Sequence, residues 1–168
     1  MKNRIMSVLL MIALIISIVT GCGIPSSDSS SMDRSYQAET GVSSVSETGQ
    51  PPDPEGSYTT KEDVSLYLEY YDRLPGNFIT KKEARSMGWQ GGSLEPYAPG
   101  YCIGGDHFGN YEGRLPKGEM YRECDIDTLG ANSRGAKRLI YVVEGKDVVA
   151  IYYTGDHYKS FEEVYAEN

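Results

Sequence analysis

The sequence predicts an α+β domain over residues 58–168, with two or three N-terminal helices packed on a twisted antiparallel sheet of about five strands. Three observations lead there. Helical spacing with cap signals fills residues 59–88. From about Tyr101 the periodicity changes to short runs rich in Tyr, Val and Ile. Those runs are separated by Gly, Asp and Lys turns and not by further helices, which distinguishes helices-then-strands from an alternating βα pattern.

Thr59 followed three residues later by Glu62 reads as a capping box, and Val64, Tyr67, Leu68 and Tyr71 recur at helical spacing. Leu74-Pro75-Gly76 closes that helix, since proline lacks a donor and restricts the residue before it. Thr80-Lys81-Lys82-Glu83 is a second box, Gly88 a natural stop, and Trp89 is placed to seal the helix layer onto the core. Strands are expected near 101–105, 120–126, 138–143, 148–153 and 158–164, with Glu144-Gly145-Lys146-Asp147 as the clearest hairpin turn. Helices on one face leave the other, wet or nearly so, to line a site.

Residues 1–22 are set apart from the fold. Lys2 and Arg4 precede an apolar run from Ile5 to Val19, shorter than the roughly 20 residues of a membrane span. It ends in Val19-Thr20-Gly21-Cys22, which resembles the lipobox of bacterial lipoproteins. That resemblance implies cleavage before Cys22, a lipid on its sulfur, and an exported protein anchored at the outer face of the cell membrane. An ordinary secretory peptide with an incidental Cys22 is the alternative. Residues 23–57, rich in Ser, Gly, Pro and acids, are expected to be a disordered linker.

The chain carries a net charge of −8, and residues 58–168 hold 13 basic against 18 acidic positions, a formal −5. That excludes a broad, nonspecific nucleic-acid binder, so any RNA contact needs a local cationic pocket. Cys102 and Cys124 remain once Cys22 is assigned to lipid. An even pair in an exported domain suggests a disulfide; two free buried thiols are the alternative.

Chemistry concentrates in a few places. Tyr152-Tyr153-Thr154-Gly155-Asp156-His157-Tyr158 sets one of two histidines between a carboxylate and an aromatic ring. Upstream stand Arg122-Glu123 and the pair Arg134 and Arg138. An acid, a base and an anion clamp are the parts needed to cut a phosphodiester with a neighbouring hydroxyl, with no metal or other cofactor.

Leu74 to Lys81, Gly88-Trp89, Ile103-Gly104-Gly105-Asp106, Phe108 to Pro116, Tyr121-Arg122-Glu123, Arg134 to Arg138 and Thr154 to Tyr158 together resemble the barnase-type, guanyl-preferring microbial ribonucleases. Their order and spacing carry the match across the whole domain. The resemblance implies that Glu123 is the general base, His157 the general acid, and Arg134 and Arg138 ligands of the scissile phosphate, with Lys81 adding positive potential. It gives base recognition to Phe108, Gly109, Asn110, Tyr111 and Glu112, with Tyr158 stacking beside Phe108. Asp106 and Asp125 take structural roles, Asp125 beneath the arginines. Single-stranded RNA is the implied substrate, a monomer the implied state, and a barstar-like inhibitor the implied protein partner. One departure stands out. The family has an arginine where this chain has Tyr111, which predicts weaker RNA affinity and a poorer fit to such an inhibitor. A second reading of the same residues is a surface binding module that keeps the fold without useful catalysis.

Overall fold

The computed structural model describes residues 50–167. The signal segment, the Cys22 lipidation site and the linker up to residue 49 lie outside the described residues. Two helices, α1 (Lys61–Tyr71) and α2 (Lys81–Ser86), precede most of the sheet. Its strands are β1 (Phe78–Ile79), β2 (Cys102–Phe108), β3 (Tyr121–Asp125), β4 (Arg138–Glu144), β5 (Asp147–Thr154) and β6 (Glu162–Ala166). They lie in sequence order, β2 to β6 antiparallel and the two-residue β1 parallel to β2.

The first helix starts one residue later than its box predicts. Thr60 is the N-cap, accepting from the Asp63 N–H, while Thr59 serves the far side of the domain. The Thr59 carbonyl accepts from Asp127 N at 2.7 Å and its hydroxyl oxygen from Thr128 N at 3.0 Å, pinning the loop after β3. The helix also ends earlier, at Tyr71, because Asp72 adopts a left-handed cap (φ 54°) and returns its N–H to Leu68 O. The second box forms as expected: Thr80 and Glu83 satisfy each other's backbone N–H groups. In the β4–β5 turn Glu144 faces Asp147 across Gly145-Lys146, with Gly145 at φ 64°.

Residues 51–57, assigned to the linker on composition, dock on α1. The Tyr71 hydroxyl donates to Pro52 O at 2.6 Å, Tyr67 to Pro54 O at 2.9 Å, and Tyr58 to Asp53 O at 3.2 Å. Backbone carbonyls need no apolar side chains to be useful, so composition understates this segment.

Side chains alternate across each strand and divide the sheet into two faces. On one, Val64, Tyr67 and Leu68 of α1 pack on Cys124, Leu139, Tyr141 and Ile151. Each such side chain contributes roughly 1.5–3 kcal/mol on burial. The other face carries Glu123 opposite Ile140 and Tyr152, and Asp125 opposite Arg138 and Thr154. It is drier than expected, because Leu115, Tyr121, Ile140, Val142 and Ala150 form a second cluster there, flanked by Phe108, Tyr158 and Phe161. A third cluster joins α2 to Trp89, Leu94, Ala98 and Ile103.

A bulge in β2 decides which residues reach the second face. Gly104 pairs with Cys124 but Asp106 pairs with Glu123, so Gly105 (φ 90°) is the extra residue. That one-residue slip turns Asp106 and Phe108 from the core side to the Glu123 side. Cys102 and Cys124 are both buried and free, which corrects the expected bridge. The register explains it: Cys124 faces Gly104 and not Cys102. Burial raises the pKa of both thiols.

Candidate active site

Glu123 sits mid-strand on β3 with 6% of its surface exposed. A carboxylate so placed must be paired, and it is. Oε1 accepts from Lys81 Nζ at 2.5 Å and Oε2 from the Tyr158 hydroxyl at 2.7 Å. Lys81 is brought there by the start of α2, whose backbone N–H at Lys81 is bonded to Asp106 Oδ2 at 2.9 Å. Asp106 thereby ties the start of α2 to β2, next to the strand that carries Glu123.

Tyr158 lies outside β6, in a tight turn. His157 and Tyr158 both take left-handed backbone conformations, φ 58° and 70°. Two consecutive non-glycine residues there cost on the order of 1–3 kcal/mol each and need compensation. Asp156 supplies it. Its carboxylate accepts from Lys159 N, Ser160 N, Ser160 Oγ and Thr154 Oγ1 at 2.6–3.0 Å, and Tyr158 N bonds Thr154 Oγ1. The Ser160 hydroxyl, then its N–H, are the main causes that bring the Asp156 pKa down to about 2. His157 is exposed, its N–H on Ala136 O and its ring 4.9 Å from that of Tyr158. The Tyr158 hydroxyl is pushed up to about 12, first by burial and then by its bond to Glu123, against the pull of Arg138.

Asp125, 1% exposed, lies beneath two guanidinium groups. Arg134 grips it in a fork, Nε to Oδ2 at 2.6 Å and Nη2 to Oδ1 at 2.8 Å. Burial works against the Arg134 charge, but Asp125, with Glu123 and Tyr158 behind it, leaves that pKa raised. Arg138 is interior, 2% exposed. Its Nη1 donates to the Arg134 and Lys137 carbonyls and its Nη2 to Gly135 O, which shapes the loop that carries Arg134. Arg138 Nε lies 2.9 Å from Asp125 Oδ1 but at an angle that makes no hydrogen bond, so the contact is an ion pair. The two arginines are therefore unequal. Arg134 keeps about a quarter of its side chain exposed, whereas Arg138 is enclosed and bonded to the carbonyls of the loop that carries Arg134.

Beside Glu123 opens a cavity of about 310 Å³ lined by residues 107–112 with Arg114, Glu123, Tyr158 and Phe161. Phe108 stacks on Tyr158 at 5.4 Å and meets Phe161 edge-on. The loop is fixed by Asn110 (φ 43°), whose amide side chain bonds Leu115 N and Leu115 O. The Tyr111 ring lies over Gly109, where an added Cβ would clash with it, and Tyr111 is 96% exposed at the rim. Glu112 is paired with Arg114 Nε at 2.6 Å, and Arg114 Nη1 reaches Lys159 O. Of the candidate residues, Phe108 to Glu112, Glu123 and Tyr158 line this one cavity, and Lys81 reaches it through its bond to Glu123. Arg114 and Phe161 also belong to it and were not anticipated. The charge of Arg114 two residues from Glu112 was a signal; Phe161 offered none beyond its aromaticity.

A buried carboxylate flanked by a lysine and a tyrosine, next to a guanidinium and an aromatic-lined cavity, defines a protein equipped for acid–base chemistry on an anionic ester that bears a planar base. The model of the ribonuclease family matches residues 61–165, and the chain belongs to that family. A ribonuclease of Heyndrickxia coagulans is 44% identical over 109 residues, 62% of this chain and 95% of that protein. Ribonucleases of Bacillus intermedius and Bacillus pumilus are also 44% identical over 109 residues, 62% of this chain; the match spans 64% of their length.

Proposed function

We propose that the protein is an exported, lipid-anchored endoribonuclease that cuts single-stranded RNA, preferentially after guanosine, without a metal. The observation that carries this reading is the placement of Glu123, nearly buried between Lys81 and Tyr158 at the edge of the base-sized cavity. In the first step Glu123 takes the proton of a ribose 2′-hydroxyl, and that oxygen attacks the adjacent phosphorus. The bond from phosphorus to the 5′-oxygen breaks as protonated His157 gives its proton to the leaving oxygen. The products are a 2′,3′-cyclic phosphate and a 5′-hydroxyl. In the second step neutral His157 takes a proton from water, the water oxygen attacks phosphorus, and Glu123 returns its proton to the 2′-oxygen. A 3′-phosphate is left and both groups are restored.

Arg134 uses Nε and one Nη2 N–H on Asp125, so Nη1 and the second Nη2 N–H remain for phosphate oxygens. Lys81 and Arg138 add positive charge from either side of the same face. Guanine choice rests on the 108–112 loop: backbone amides for the guanine carbonyl, and Glu112 for its imino and amino N–H groups. Adenine leaves those partners unpaired. Phe108 and Tyr158 supply stacking worth about 1–3 kcal/mol per base. Export and anchoring rest on the apolar segment and Cys22 alone.

The test is cleavage of a short mixed-sequence RNA in EDTA, with a Glu123→Ala protein alongside to exclude a contaminating nuclease. Cuts after guanosine with 2′,3′-cyclic ends, absent in the variant, are the expected result. RNA binding without cleavage at any pH would instead favour the binding-module reading.

A further inference from the structure

We propose that Trp89 is a positioning residue for the phosphate clamp, its indole being the wall against which the Arg134 guanidinium is held toward the cleft. The Arg134 guanidinium carbon lies 5.6 Å from the centre of the Trp89 ring, within cation–π range. The fork to Asp125 fixes the guanidinium within its own plane. A carboxylate in that plane does little to stop the group rocking out of it, whereas an aromatic face pressed on one side does.

The wall itself is rigid. Trp89 is 4% exposed, packed with Ala84, Leu94, Ala98 and Ile103. Its backbone N–H bonds Ala84 O, and its indole N–H bonds Gly92 O at 3.2 Å. A second tie runs between the same two segments: Ser93 Oγ donates to Ala131 O at 2.7 Å, in the loop that leads to Arg134. The stretch after α2 therefore buttresses the arginine loop at two points. A tryptophan that merely filled the core would not need a cation on its face.

The inference rests on the reading of Arg134 as a phosphate ligand, and the experiment separates the two. The chain contains a single tryptophan, so its emission reports Trp89 alone. Titrating the full chain with inorganic phosphate should change that emission saturably, and Arg134→Gln should abolish the change. Trp89→Leu should lower kcat/KM on RNA about tenfold and weaken inhibition by phosphate to a similar degree, while Trp89→Phe recovers part of both. In the Arg134→Gln background the same Trp89 changes should have no further effect.

Loss of thermal stability in Trp89→Leu with unchanged turnover, or an equal activity loss in both backgrounds, would overturn the positioning role. Arg134→Gln with undiminished cleavage and phosphate inhibition would overturn the reading of Arg134 itself. Should the Trp89 variants fail to fold, the emission titration decides alone: no phosphate response in the unaltered protein sinks the proposal.

Discussion

The Tyr158 hydroxyl donates to Glu123 Oε2 at 2.7 Å, and the ring that carries it stacks on Phe108. One side chain therefore joins Glu123 to the wall of the cavity. Tyr158→Phe keeps the ring and removes the donor, so KM for RNA should stay within about twofold while kcat changes by about tenfold or more. Steady-state kinetics on a dinucleotide substrate measures the split. The same hydroxyl is pushed up to about 12, above the tyrosine value of 10.0, so its folded-state pKa is raised. Its stabilising contribution is present below pH 10 and is lost as pH rises through 12. Alkaline titration followed by tyrosinate absorbance should lose one late-titrating group in the variant.

Lys81 pairs with a carboxylate that is almost out of water. Lys81→Met leaves Glu123 with Tyr158 as its remaining donor, at an expected cost of about 1–3 kcal/mol in stability. Urea denaturation checks the stability; RNA cleavage should fall at the same time, because positive potential at the phosphate is lost.

Asp125 is the counter-charge of two arginines, one of them interior. Asp125→Asn is nearly isosteric but strands the Arg138 charge in the sheet, and the expected destabilisation is about 3–5 kcal/mol. A downward shift in the urea midpoint with an unchanged slope would report it. A shift of under 1 kcal/mol would mean that the carbonyls around Arg138 suffice to hold it.

Asp156 is solvent-exposed but holds two left-handed residues in place. Its folded pKa is lowered, to about 2 from 3.8, so the order it gives the turn is complete above about pH 4 and is lost as pH falls toward 2. Asp156→Asn should remove that acid sensitivity. It should also lower turnover at neutral pH more than thermal stability, since His157 and Tyr158 depend on the turn. Circular dichroism melts and rate profiles at matched pH distinguish the two effects.

Local chemistry was legible where the partners are close in sequence. The Thr80–Glu83 box and the turn at Gly145-Lys146 formed where their residues predict, and the order of helices and strands followed from periodicity. Thr59 and Thr60 defeated the same reasoning. Each has an acid three residues on, and the choice is settled by Asp127 and Thr128, far along the chain. The Gly105 bulge was illegible for a related reason: a glycine pair in a strand does not announce which of its members is unpaired. Glu123, His157 and Arg134 were named through the family pattern, and the inequality of Arg134 and Arg138 emerges only from burial. Aromatic runs favour strands, which puts Tyr158 in one by pattern, whereas the hydrogen bonds of Thr154 and Asp156 hold it in a turn.

The docking of residues 52–54 on the tyrosines of α1 has an architectural corollary. Those contacts lie on the helix side of the sheet, and Glu123 lies on the other. The polypeptide thus enters the domain behind the surface that meets RNA in the proposed reaction. A tether joined at that point would pull on the helix layer and not on the strands that carry Glu123 and Asp125.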